Sequence, residues 1–174
     1  MSTDPPATFS AWPEMKYVAP GLRSQFAKQK AGTAGIPAPP ADRARYLELR
    51  RNVVKGLRDA GAPLLVGPDA PQMFLVPGFA THREMTSLVQ AGLSPFEALR
   101  AATVSAAAYL GREREMGTIA TGRKADLVLV DENPLADVAN VRSIAGVMVS
   151  GRWIPKKEID TMLEQIAAMH ADQK

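Results

Sequence analysis

The most constraining feature of the chain is a short apolar run, Pro63-Leu64-Leu65-Val66, set between Gly61 and Gly67-Pro68. Four apolar residues closed by such breakers are too few for a helix and read as a buried strand. Upstream, Asp42 to Ala60 places Tyr46, Leu49, Val53 and Leu57 at spacings of three and four. That is one stripe of a helix, with Arg43, Arg45, Arg50, Arg51 and Lys55 mostly off it as a solvated face. Gly61 stops the helix. Helix, glycine, strand is an αβ unit, and it favours a parallel sheet and an α/β fold class. Asp69 follows the run, where a parallel strand delivers a side chain to the carboxyl edge at which α/β folds build their sites. The competing reading of Asp69 is a turn aspartate capping a backbone amide in a Pro-rich loop.

Two capped helices are expected next. Thr81-His82-Arg83-Glu84 fits a capping box, and that helix runs to Gly92. Ser94-Pro95-Phe96-Glu97 is a second box with proline at its favoured first position. Phe96, Leu99, Ala102, Ala106 and Leu110 then mark a core face up to Gly111. After Gly117 the period changes to that of strands, over Asp126–Asp131 and Ile144–Val149. Ser150-Gly151 reads as a tight turn into Arg152-Trp153-Ile154. Lys156 to Met169 is amphipathic, with Ile159, Met162, Leu163 and Ile166 on one side. No internal repeat is visible.

Residues 1–40 hold seven of the fourteen prolines. Gly32-Thr33-Ala34-Gly35 and Pro37-Ala38-Pro39-Pro40 read as loop, and only Leu22–Lys30 has the makings of a short helix. The segment is either a tail or a long loop crossing the mouth of a site, since loops of this length are functional or disordered.

Composition excludes several classes. A 46% hydrophobic and 22% charged chain is globular. A net charge of +3 without any dense Lys/Arg cluster, and 6% aromatic residues, argue against a nucleic-acid partner. There is no cysteine, hence neither a disulfide nor a thiolate metal site. No run approaches the length of a membrane span, and the first residues lack a signal pattern, which makes a cytoplasmic location the default. At 174 residues the chain cannot hold a complete (β/α)₈ barrel, which needs about 250 and at least roughly 200.

A wider pattern stands on these residues. It begins with a strand ending in Gly-x-Asp and a helix beginning near a histidine. Ala91-Gly92-Leu93-Ser94-Pro95 and Glu97-Ala98-Leu99 follow. Then, in order, come Gly117-Thr118-Ile119, Gly122-Arg123-Lys124-Ala125-Asp126-Leu127-Val128, Asn133-Pro134-Leu135 and Gly146-Val147-Met148-Val149-Ser150-Gly151-Arg152. The series resembles the C-terminal segment of the amidohydrolase superfamily, most of all its imidazolonepropionase-related branch, over roughly residues 60–155. The resemblance implies the closing part of a (β/α)₈ metal-dependent hydrolase barrel over residues 42–116. Residues 117–155 would then be strands of a small β-sandwich shared with the protein's N-terminal residues. A loop or tail over 1–41 and a helix over 156–174 complete the division.

The resemblance also assigns roles. Asp69 matches the aspartate that binds a divalent metal such as zinc, orients the attacking water and takes its proton. His82, at a helix start thirteen residues on, is a candidate substrate-binding residue; the competing reading is a surface or packing histidine. His170 is expected to be solvated. The family's site also needs a His-x-His pair, a bridging Lys or Glu and two further histidines. This sequence has two histidines, neither in such a pair, and a catalytic zinc needs three protein ligands. The chain alone is therefore expected to be inert and to hold no metal. Its partner would be the missing N-terminal barrel portion or a second copy, with a small-molecule substrate once complete. A non-catalytic α/β remnant used for binding or assembly is the alternative, and a chance resemblance is the third reading.

Overall fold

The computed structural model describes residues 5–33 and 40–171, so the turns expected over 34–39 lie outside the described residues. The elements are α1 (Pro6–Ser10), a 3-10 turn (Pro13–Tyr17), α2 (Pro20–Thr33), α3 (Pro40–Asp59), α4 (Phe79–Gln90), α5 (Pro95–Ala102) and α6 (Val104–Tyr109). After them come β1 (Leu127–Val130), a second 3-10 turn (Val138–Arg142), β2 (Ile144–Val149), β3 (Arg152–Pro155) and α7 (Lys156–Ala171). The chain is α/β, and its described strands make one antiparallel sheet in the order β1-β2-β3. The residues fall into two compact units, each with its own core. One takes the chain up to Arg50, Pro68–Ala80 and the residues from Thr161; the other takes Arg51–Gly67 and Thr81–Asp160.

In the second unit the helix ends follow their local chemistry. Ser94 Oγ accepts the Glu97 amide at 3.2 Å while the Glu97 carboxylate accepts the Ser94 amide at 2.6 Å, a complete capping box. Helix α4 stops at Gly92, where the Leu93 amide returns to the Leu88 carbonyl and both leucines enter the core. The β2–β3 hairpin turns on Ser150 (φ 50°) and Gly151 (φ 82°), the paired positive angles of a type I′ turn. Its core joins Met85, Leu88, Leu93, Ala98, Ala101, Val138 and Val141.

In the first unit the proline-rich N-terminal segment is helical rather than loop. Prolines stand at the first positions of α1 and of the 3-10 turn, where no amide donor is needed. Together with α2, these short helices bring Phe9, Met15, Val18 and Phe26 to a core completed by Phe74 and Val76. The tail reading fails because it counted prolines as breakers without allowing for their use as helix starters.

Four further expectations are corrected. Residues 63–66 form no strand: the segment is extended without a ladder, since a parallel strand exists only beside a partner and the described strands pair among themselves. Helix α4 begins at Phe79 rather than being capped at Thr81, because Pro77-Gly78 turns the chain two residues earlier. The single helix expected over 95–110 breaks at Thr103 (φ −128°, ψ −83°), whose Oγ1 donates to the Leu99 carbonyl at 2.8 Å. The expected core faces are also displaced. Phe96 and Leu110 are exposed while Ala98, Ala101 and Ala107 are buried, since small side chains let a neighbour approach closely. On α3 the stripe Tyr46, Leu49, Val53 and Leu57 is exposed, and Leu47, Val54 and Arg58 are half-buried instead.

Two glycines in the second unit separate conformation from packing. Gly117 has φ 90°, and a Cβ there would stand 2.7 Å from the Ala107 Cβ and 3.1 Å from the Thr103 carbonyl oxygen. Gly122 has φ 82° in open space. Gly122→Ala should cost only the left-handed backbone penalty, about 1–2 kcal/mol. Gly117→Ala adds an overpacking cost of about 1–3 kcal/mol, so urea denaturation should rank it clearly the less stable of the two. Equal midpoints would refute the close-packed role of Gly117.

Candidate active site

Asp69 lies in the extended segment that links α3 to α4. It is exposed and left-handed, with φ 56°, a region that Asp and Asn enter more readily than other side chains. Pro68 precedes it, and the Ala70–Pro71 peptide bond is cis. The carboxylate Oδ2 accepts the Gln72 Nε2 donor at 2.7 Å. Asp69 is thus not capping a backbone amide among the described residues; its partner there is the side chain of Gln72, a residue that the sequence did not single out.

The approach to this segment is set by Glu84. Its Oε1 accepts the Gly67 amide at 3.1 Å, while the Val66 amide faces the Ala101 carbonyl at 3.4 Å. Glu84 therefore fastens the end of the extended run to α4, instead of reaching back to cap its own helix. No periodicity signals this contact, because it joins residues seventeen positions apart across a loop.

His82 sits in the first turns of α4 and is half-buried. Burial pushes its pKa below the ordinary 6.5, and the Arg142 guanidinium lowers it further. It is neither a free surface group nor a member of an acidic cluster. Asp69 and His82 fall in different units. His170 is half-buried in α7, with its Nδ1 out of solvent and without a hydrogen-bond partner among the described residues. The expectation of a solvated histidine there is corrected: the amphipathic helix turns it inward.

The motifs that carried the family resemblance prove to be structural ties. Arg123 donates to the carbonyls of Glu113 and Met116. Asp126 pairs with Lys124 at 2.7 Å and accepts the Ser150 amide at 2.6 Å, which anchors the hairpin turn. The Lys124 hydrogen bond, then the Ser150 amide, hold its carboxyl below the usual range. Asn133 accepts the Leu135 amide on its side chain and the Asn140 side chain on its carbonyl.

With this geometry in hand, comparison with known proteins is decisive for class. The amidohydrolase family matches residues 11–154, and the chain belongs to that family. It is 32% identical over 131 residues to an imidazolonepropionase of Maricaulis maris, covering 73% of this chain and 32% of that protein. It is 45% identical over 80 residues to a 5-methylthioadenosine/S-adenosylhomocysteine deaminase of Caldanaerobacter subterraneus, covering 38% of this chain and 18% of that one. Among solved structures, a bottromycin amidohydrolase superposes with a TM-score of 0.71 at 25% identity, over 93% of this chain and 36% of its own. The chain spans about a third of the length of the first of these relatives, and less of the second.

The family's metal dependence raises the question of fit. Among the described residues no group of three His, Cys, Asp or Glu side chains is placed to hold a metal ion. Asp69 offers one carboxylate with an oxygen already engaged by Gln72, whereas a catalytic zinc takes three protein ligands. These residues do not by themselves fit a divalent metal. Also among the described residues, no helix is long and apolar enough to cross a membrane.

The depressed His82 pKa has a consequence for stability. The folded state holds this proton less tightly than the unfolded chain does. Between the folded value and the ordinary 6.5 the unfolded chain therefore binds more protons. Stability should be full above pH 6.5 and fall as the pH drops through that value toward the folded one. Urea melts at pH 7.5 and 5.5 should show this loss, and His82→Gln should reduce it. An identical pH dependence in the variant would remove His82 as its source.

Proposed function

We propose that this chain is the C-terminal portion of a metal-dependent amidohydrolase, one that hydrolyses a carbon–nitrogen bond when completed by further barrel residues. The substrate class is an amide, a cyclic amide or a dipeptide-like molecule. The family match over residues 11–154 and the likeness to an imidazolonepropionase support this reading. In it, residues 42–116 are the closing part of a (β/α)₈ barrel, and β1–β3 belong to a small β-sandwich.

The observation that carries the proposal is the exposed Asp69 carboxylate, held at a left-handed position within the matched region with only Oδ2 engaged among the described residues. Asp69 takes the proton of the water that adds to the carbonyl carbon and delivers it to the departing nitrogen, so the carbon–nitrogen bond breaks to acid and amine. His82 contacts the substrate. Only with further ligands from residues other than those described would Asp69 also be one ligand of a divalent ion such as zinc, which would supply Lewis-acid polarisation of the carbonyl. One observation favours a second reading, a non-catalytic module for binding or assembly: the exposed apolar stripe of α3.

Completion decides between the readings. The chain alone should hydrolyse no amide, ester or lactam. Fused to or mixed with the N-terminal part of a close relative, it should turn over, and Asp69→Asn should then lower the rate by about 10²–10⁴. Asn suits the left-handed position as well as Asp does, so the fold should survive. Near-normal turnover of the Asn variant would defeat the catalytic reading.

Partnership has its own test. The α3 stripe, with Val128 and Leu129 on the free edge of the sheet, leaves apolar surface open. We expect it to be covered by the completing portion or, without that, by a second copy. Light scattering should give more than the monomer mass for the chain alone; a monomer with a cooperative thermal transition would contradict this.

A further inference from the structure

The loop that carries Asp69 holds a second residue in the left-handed region, Phe74, with φ 69°. Aspartate tolerates that region; a bulky aromatic does not, and persists there only where its surroundings over-determine it. Those surroundings are visible. Phe74 is 1% exposed. Its ring stacks on Phe9 of α1, with centroids 5.3 Å apart and planes at 22°, and meets Phe26 of α2 at 5.6 Å. Met15 and Val18 close the same cluster. The turn that delivers Phe74 is closed by the Leu75 amide donating to the Gln72 carbonyl. The Gln72 side chain, in turn, donates to Asp69 Oδ2 at 2.7 Å.

We propose that the helical segment from Pro6 to Phe26 is a clamp on the Asp69 loop. Phe74 is its anchor, and Gln72 is a positioning residue that fixes the rotamer of the Asp69 carboxylate. One oxygen is held by the amide, and the other is left for the proton transfer. The clamp supplies what a strand ladder would otherwise supply, since residues 62–70 have no regular hydrogen-bonded partner strand. The catalytic part of this inference rests on Asp69 being the proton acceptor; the mechanical part does not.

The test reads the Gln72 side-chain amide pair in ¹H–¹⁵N spectra of the chain itself. Asp69→Asn should shift the pair, because the charged acceptor is lost. Phe9→Ala should move it toward the position of a solvated glutamine, although Phe9 bonds to neither residue, and Phe9→Leu should restore it in part. Should Phe9→Ala not fold, Phe26→Leu carries the same test by removing a ring while keeping bulk. In the completed enzyme, Gln72→Leu should lower kcat by up to about 10²-fold, as a misplaced group does, with KM nearly unchanged. An amide pair that stays at its wild-type position in both the Asp69 and the ring variants overturns the clamp and leaves the catalytic reading standing. Normal turnover of Asp69→Asn alongside a shifted pair overturns the catalytic reading and keeps the mechanical part of the clamp.

Discussion

The segment from Ala62 to Gly78 belongs to neither a helix nor a sheet. In a helix or a sheet, backbone donors and acceptors satisfy one another. A ladder-free stretch has no such internal solution, and its polar groups must find partners one at a time. Glu84 takes the Gly67 amide, Gln72 takes the Asp69 carboxylate, and Phe74 enters an aromatic core. Glu84 comes from helix α4, whereas Gln72 and Phe74 belong to the segment itself. The two left-handed residues follow from the same constraint: a path set by separate anchors cannot also keep every backbone angle in its favoured well.

How much of this was legible depends on the range over which each feature is determined. The capping box at Ser94 and Glu97, the stop at Gly92 and the Ser150-Gly151 hairpin are set within six residues, and each was readable. The strands β1, β2 and β3 were readable for the same reason, as their period changes sharply after Gly117. The α3 stripe was correctly seen as apolar, with the arginines mostly off it, and in the structure it is exposed. Periodicity reports that one side of a helix is apolar, and which side is covered depends on neighbours distant in sequence. On α5 the alanines won that contest over Phe96, because close approach rewards small side chains more than large ones.

At the candidate site the division is sharper. Asp69 was visible from its place after an apolar run, yet the reason given for that place, a strand, is absent. Gln72 and Phe74 carried no signal at all, and Glu84 was read only as the end of a capping box, not as the partner of the Gly67 amide. A glutamine three residues past an aspartate is unremarkable in sequence; its meaning comes from the turn that Phe74 stabilises. The family motifs were legible as a series. Arg123, Lys124, Asp126 and Asn133 tie loops to the sheet and its hairpin. Kinship itself is established by the family match over residues 11–154, and the chemistry proposed for Asp69 rests on that kinship.

That asymmetry bears on the open apolar surfaces. The sequence spends Tyr46, Leu49, Val53 and Leu57 on one side of α3, and that side is exposed. Scattered surface leucines are ordinary, but four large apolar groups in helical register are a contiguous patch, and patches of this kind mark interaction sites. The free edge of β1 carries the same message, with Val128 and Leu129 exposed on opposite faces of the strand. A self-sufficient α/β domain would cover at least one face of its edge strand or break its pattern with charge. Asp126 and Asp131 bracket β1 without interrupting it. Two such strands pairing head to tail about their midpoint would set each aspartate against the other chain's aspartate, which is unfavourable for self-pairing at this edge. Helix α3 carries carboxylates too, Asp42, Glu48 and Asp59, but they stand among Arg45, Arg50, Arg51 and Lys55, so a second copy laid along it meets charges of both signs rather than carboxylate against carboxylate; of the two surfaces it is the better suited to take a second copy.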